Sequence, residues 1–166
     1  MSEGLNVAVL TVSDTRTHET DTSGQFLEEA LLASGHQLAD RAIVIDDIYQ
    51  IRARLSSWIA DTTVHGVLVT GGTGFSGRDS TPEAVLPLFD KIIEGFGEVF
   101  RALSFDEIGS STVQSRAIAG LANRTAIFCM PGSTGACRTA WNGLIKDQLD
   151  EAHRPCNFVK VLRGEV

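Results

Sequence analysis

Gly66-Val67-Leu68-Val69-Thr70-Gly71-Gly72-Thr73-Gly74 runs directly into Phe75-Ser76-Gly77-Arg78-Asp79-Ser80-Thr81-Pro82-Glu83. The opening residues form a short apolar run of the kind expected for a strand covered on both faces. It empties into glycines and hydroxyls, then a carboxylate, then a helix start, with Pro82 at the first helical position and Thr81 as its N-cap. A parallel sheet builds a phosphate site in this order. Glycine N–H groups can turn together toward one anion because no Cβ blocks the approach. Asp79 repels phosphate unless a cation intervenes, so the stretch points to a metal nucleotide or to metal-assisted phosphate chemistry.

Two nucleotide motifs almost fit. Gly72-Thr73-Gly74-Phe75-Ser76-Gly77 satisfies G-x-G-x-x-G, but that fingerprint opens a long helix in the first βα unit. Here it follows the third apolar run and the helix starts only at Pro82, so the glycines read as a loop. The same residues approach a P-loop, with Arg78 in place of lysine and Asp79 in place of the magnesium-binding hydroxyl. A carboxylate inside a triphosphate cradle is repelled, so that reading fails as well. Asp79 suits a site in which a carboxylate anchors the metal directly; solvating a turn or capping a helix are the other roles open to it.

Outward from this stretch, apolar runs alternate with helical patterns, the mark of βαβ units and a mostly parallel sheet. Strands are expected over residues 5–12, 38–45, 66–70 and 125–130. A helix over about 24–34 carries Leu27, Ala30 and Leu31 on one face, with Gly35 as its stop. A second, behind a cap at Asp46 or Asp47, aligns Ile48, Ile51, Leu55, Trp58 and Ile59. Others are expected over 82–88 and 133–149. Between them, 97–105 and 112–119 read as helical, with Gly120 as a break.

Three loops leave carboxyl ends of these strands carrying ligand-type residues: Ser13-Asp14, the segment from Thr70 to Asp79, and Pro131-Gly132-Ser133. Ligands of open α/β sheets bind in the crevice outside those ends, so one pocket assembled from three loops is expected. The Pro131 turn opens the last helix and presents N–H groups to a phosphate, although Ser133 serves equally as an ordinary N-cap. Ser111, Ser115 and Arg116 either face the same crevice or form a polar helix face. Capping accounts for one of Asp46 and Asp47 and leaves the other for magnesium, which takes one or two protein carboxylates plus phosphate oxygens.

At 166 residues the chain fits one domain over 1–166, large enough to bury about 70% of its unfolded surface. With 43% hydrophobic and 21% charged residues, it has a globular rather than a disordered composition. A net charge of −7 argues against a nucleic-acid binder, which needs a basic face. A compact anion held locally by backbone amides is still allowed. The start of the chain lacks a basic region, and Asn6 and Thr11 interrupt its first apolar run, so neither a signal peptide nor a membrane span is expected. Cys129, Cys137 and Cys156 show no C-x-x-C spacing, which suits a reducing cytoplasm. Cys129 reads as a small buried hydrophobe, and the four histidines have no metal-ligand spacing.

Taken together, Thr11-Val12-Ser13-Asp14, Asp21-Thr22-Ser23-Gly24, Thr70-Gly71-Gly72-Thr73-Gly74, Asp79-Ser80-Thr81-Pro82-Glu83-Ala84 and Met130-Pro131-Gly132-Ser133 resemble the MoaB/MogA molybdopterin-binding family of molybdenum cofactor biosynthesis. The likeness extends from about Asn6 to Leu149. Gly95 to Arg101 and Arg154-Pro155-Cys156-Asn157-Phe158 resemble its MoaB branch most. The resemblance implies a three-layer α/β/α sandwich with a mostly parallel central sheet, and a homotrimer or a dimer of trimers. It implies transfer of adenylate from Mg-ATP to the terminal phosphate of molybdopterin, with other molybdenum cofactor enzymes as partners. By motif position, Asp46 and Asp79 would be the catalytic carboxylates that hold Mg2+. Ser13, Asp14, Thr70, Gly71, Gly72, Thr73, Gly74, Ser111 and Ser115 would bind substrate, with Pro131, Gly132 and Ser133 beside them. Two other functions compete: a non-catalytic molybdopterin carrier, and an assembly module using Phe96, Val99, Phe100, Leu103 and Phe105, whose other reading is core.

Overall fold

The computed structural model describes residues 3–166. Its strands are β1 (Asn6–Val12), β2 (Gln37–Val44), β3 (Gly66–Thr70), β4 (Lys91–Ile92), β5 (Ile118–Ala122) and β6 (Thr125–Met130). They form one sheet in the order β2-β1-β3-β6-β5-β4. β1 pairs in parallel with β2 and β3, and β3 with β6, while β5 runs antiparallel to β6 and β4 antiparallel to β5.

Alternation along β1 divides the interior in two. Val7 and Val9 join Leu27, Leu31, Phe96, Phe100, Trp141 and Ile145 on one face of the sheet. Ala8, Leu10 and Val12 join Ile51, Leu55, Trp58 and Val85 on the other. Each fully buried Leu or Ile contributes about 1.5–3 kcal/mol relative to exposure, so a sheet apolar on both faces demands a helical layer on each. α1 (Thr22–Ala33), α4 (Glu94–Ile108) and α5 (Thr134–Ala140) supply the first layer, and α2 (Ile48–Ala60) with α3 (Thr81–Val85) the second. The three-layer α/β/α architecture expected from the sequence is therefore present. After α5 the chain passes through a π turn (Trp141–Ile145) into α6 (Lys146–Gln148), where one continuous helix was expected, and α7 (Val159–Leu162) follows near the end.

Local chemistry sets the helix starts. Asp21 caps α1 by accepting the Gly24 N–H, and Asp47, not Asp46, caps α2 by accepting from Tyr49 and Gln50. Ser80 rather than Thr81 occupies the cap position of α3, because Thr81 Oγ1 donates instead to the Gly71 carbonyl at 2.8 Å.

The largest departure lies between residues 109 and 122. A 3-10 turn (Gly109–Gln114) ends α4, and the region read as a helix over 112–119 leads into β5, with Gly120 inside the strand rather than breaking a helix. A Cβ on Gly120 would overlap the Phe89 ring. Tertiary packing, not chain flexibility, is what calls for glycine there. Phe96 and Phe100 are core, whereas Val99 and Phe105 are 44% and 56% exposed. No helix among the described residues is long and apolar enough to cross a membrane.

Candidate functional site

A cleft of about 450 Å³ opens at the carboxyl ends of β1, β3 and β6, within the size range of small-ligand sites. Its lining includes Ser13, Thr70, Gly71, Gly72, Thr73, Gly74, Asp79, Ser111, Ser115, Pro131, Gly132 and Ser133. The three predicted loops do converge, because parallel pairing brings the ends of neighbouring strands into line: Thr11 stands beside Thr70, and Thr70 beside Met130. Asp14 and Asp46 do not line the cleft.

Gly71 and Gly72 adopt φ of +105° and +71°, where a side chain is strained. At Gly71 a Cβ would also strike the carbonyl oxygen of Val12. Gly71 N–H donates to Met130 O at 3.0 Å. The next three N–H groups, of Gly72, Thr73 and Gly74, donate to no backbone acceptor among the described residues. Unpaired donors on a left-handed glycine turn form an anion-binding concavity. Thr70 is fully buried and its hydroxyl donates to Pro131 O at 2.9 Å, tying two loops together.

Asp46 and Asp79 come from different loops and flank this turn. Asp46, 8% exposed, accepts from the N–H and hydroxyl of Ser80 through Oδ1, at 3.1 and 2.5 Å. Its Oδ2 lies 2.9 Å from where a Cβ of Gly72 would stand. Asp79 Oδ2 accepts the Ser76 N–H at 2.9 Å and lies 2.7 Å from the corresponding position at Gly74. Each carboxylate keeps one oxygen that makes no hydrogen bond among the described residues. A metal here would draw on these two carboxylates plus substrate and water, since no group of three or more His, Cys, Asp or Glu gathers among the described residues.

Asp14 does something else. It accepts from Arg78 Nε and Nη2 at 2.9 and 2.8 Å and from the Asp46 N–H at 3.0 Å, so it pins three loops at the rim. The Arg78 hydrogen bonds, helped by the Asp46 amide, hold its carboxyl down at about 2. Arg116 is also engaged outside the cleft. It donates to the carbonyls of Gly74 and Asp79, pairs with Glu83 and lies over the Phe75 ring.

Ser115 Oγ is buried and makes no hydrogen bond among the described residues. Ser111 sits on the 3-10 turn after α4 and Ser115 immediately beyond it, so both reach the cleft from a turn and not from a helix face. Ser133 Oγ accepts the Ala136 N–H at 3.1 Å and caps α5. Cys137, beneath Thr70, has its thiol pushed up to about 11, chiefly by burial. Cys129 is raised further by burial. Neither is a nucleophile at neutral pH.

Several lining residues escaped the sequence reading: Thr11, Arg16, Phe100, Ser104, Ile108 and Gln114. Arg16 lies in a loop whose polarity has no period, and Phe100 and Ser104 carry the pattern of an ordinary core helix. Only Thr11 had a signal, a hydroxyl at the carboxyl end of an apolar strand. Its Oγ1 donates to buried Asp21 at 2.6 Å.

The model of a probable molybdopterin binding domain family matches residues 8–151. Molybdenum cofactor biosynthesis protein B of Escherichia coli (strain K12) is 59% identical over 152 residues, covering 92% of this chain and 89% of that one. A crystal structure of a molybdenum cofactor biosynthesis protein B superposes with a TM-score of 0.85 at 46% identity, over 90% of this chain and 94% of that one. The tungsten cofactor synthesizing protein MoaB from Pyrococcus furiosus gives a TM-score of 0.77 at 35% identity, over 87% and 92%.

Proposed function

The chain belongs to the MoaB/MogA molybdopterin-binding family of molybdenum cofactor biosynthesis, and from that membership we propose that it transfers adenylate from Mg-ATP to the terminal phosphate of bound molybdopterin. In balance, a phosphate oxygen of molybdopterin attacks the α-phosphorus of ATP, the bond to the β-phosphate breaks, and pyrophosphate leaves. On the same footing we propose a cytoplasmic homo-oligomer, a trimer or a dimer of trimers, that passes its product to other molybdenum cofactor enzymes.

The observation that carries this reading is the turn from Gly71 to Gly74, with its unengaged N–H groups between two carboxylates from separate loops. N–H donors alone would suit any anion. Carboxylates against the same turn suit an anion only when a cation accompanies it. The donor set suits magnesium: Asp46 Oδ2 and Asp79 Oδ1 make no hydrogen bond among the described residues, and side chains on Gly72 and Gly74 would crowd these carboxylates. Bound there, magnesium would supply charge neutralisation between approaching phosphates.

The chain's own groups orient and neutralise, and none acts as a nucleophile. Gly72, Thr73 and Gly74 offer donors to phosphate oxygens, and Ser111 and Ser115 line the same cleft. Ser80 holds Asp46 in one orientation, and the Ser76 N–H does the same for Asp79. Positioning of this kind suits a reaction whose partners are both anions.

The test supplies Mg-ATP and molybdopterin and follows pyrophosphate release. We expect turnover by the wild type and a loss of at least about 100-fold in Asp79→Asn, the scale on which one electrostatic group at a reacting centre acts. An inactive wild type that still binds the pterin would establish a carrier instead, and an Asp79→Asn variant at full rate would refute the assignment of that carboxylate.

A further inference from the structure

Among the residues lining the cleft, Arg16 is the one cationic side chain and Asp79 the one carboxylate. Other arginines nearby are committed elsewhere: Arg78 to Asp14, Arg116 to Glu83, and Arg41 to Asp21 and Glu28. Arg16 makes no ion pair among the described residues. A cation on the wall of a ligand-sized cleft, with no carboxylate paired to it among the described residues and in a chain of net charge −7, is placed to meet an anionic ligand.

The head group is also aimed. Its Nη1 donates to Thr20 O at 2.8 Å and to Thr22 Oγ1 at 3.3 Å. Thr22 Oγ1 in turn lies 3.1 Å from Thr134 Oγ1, so Arg16 stands where α1 and α5 both begin. Ser13 Oγ accepts the Arg16 N–H at 3.0 Å and bends the loop that carries it. Nε and Nη2 make no hydrogen bond among the described residues and are open to a ligand.

We propose that Arg16 is the direct anchor of the pterin's terminal phosphate monoester and the residue that selects phosphorylated over dephosphorylated pterin; this rests on the molybdopterin reading above. The cleft would then meet phosphate in two ways, directly at Arg16 and through a cation at Asp79. A guanidinium suits the first task because its fork offers two parallel donors to two phosphate oxygens.

Equilibrium binding of molybdopterin and of the same pterin after phosphatase treatment, without ATP or magnesium, separates this proposal from the transfer reaction. The variants are Arg16→Gln and Arg16→Lys. Removing one charge-assisted contact should weaken the phosphorylated ligand about 10- to 100-fold and leave the dephosphorylated one within about 2-fold. Lysine, which keeps the charge but not the fork, should fall between wild type and Gln. Equal losses for both ligands would make Arg16 a structural residue of the loop, and no loss would remove it from the site; either overturns the proposal. If the wild type binds phosphorylated and dephosphorylated pterin equally, the phosphate anchor fails while the pterin reading stands. If it binds neither, both fail.

Discussion

Replacing Asp21 with alanine removes the acceptor at the centre of a buried network, and its partners set the size of the loss. The side chain is fully buried. It accepts from Thr11 Oγ1 at 2.6 Å, from the Gly24 N–H at 2.9 Å and from Arg41 Nη2 at 3.2 Å. Loss of the cap costs about 1 kcal/mol. Breaking a buried ion pair costs about 3–5 kcal/mol, chiefly because the surviving charge is stranded. Arg41 keeps Glu28 at 2.8 Å, which favours the low end and a total near 4 kcal/mol. Asparagine caps as well as aspartate but carries no charge for Arg41, so Asp21→Asn should keep the cap, lose the ion pair and cost about 3 kcal/mol. Urea unfolding followed through buried Trp58 and Trp141 measures this. With a slope of about 2 kcal/mol per molar, Asp21→Ala should lower the midpoint by about 2 M. Adding Arg41→Met removes the stranded charge and should recover about half of the loss. A midpoint for Asp21→Ala within about 0.5 M of wild type, or a double variant less stable than Asp21→Ala, would refute the network as the source of stability.

Two further predictions concern stability. His36 and His65 accept the consecutive N–H groups of Leu5 and Asn6 through Nδ1, at 3.1 and 3.0 Å. Burial lowers both imidazoles, with Asp150 opposing at His36 and the Arg163 charge adding at His65. Their contribution is complete above the unfolded histidine value, about 6.5, and is lost as pH falls through the folded values below it. Urea midpoints should therefore drop from pH 7 to pH 5, and a His36→Asn/His65→Asn variant, which keeps acceptors that do not titrate, should show a flatter profile. Gly120→Ala forces a methyl into the Phe89 ring and should cost about 1–3 kcal/mol in thermal or urea unfolding, whereas a strand glycine with free space would gain from the change.

What was legible in the sequence followed from local rules. Continuous apolar runs marked the parallel strands, because a strand covered on both faces has no polar side to show. The misfit of Arg78 and Asp79 to both nucleotide motifs marked the glycine turn as a different site, and that turn, its carboxylate and the Pro131 loop all meet at the cleft. β5 stayed hidden: Ile-Ala-Gly-Leu-Ala is small-residue sequence with a glycine at its centre, and only the neighbouring β6 and Phe89 make it a strand. Asp14 reads in the sequence as a ligand residue, and nothing local to it announces its hydrogen bonds to Arg78, 64 positions away.

The sequence by itself determined the layers, the order of the loops and the chemistry they could carry, since periodicity, capping and glycine conformation act over a few residues. Tertiary structure alone decided which charges remain available. Asp14, Arg78 and Arg116 are consumed by partners distant in the chain, while Arg16 and Asp79 are left facing one cleft. Charge pairing depends on separation in space, and a linear sequence does not contain that distance.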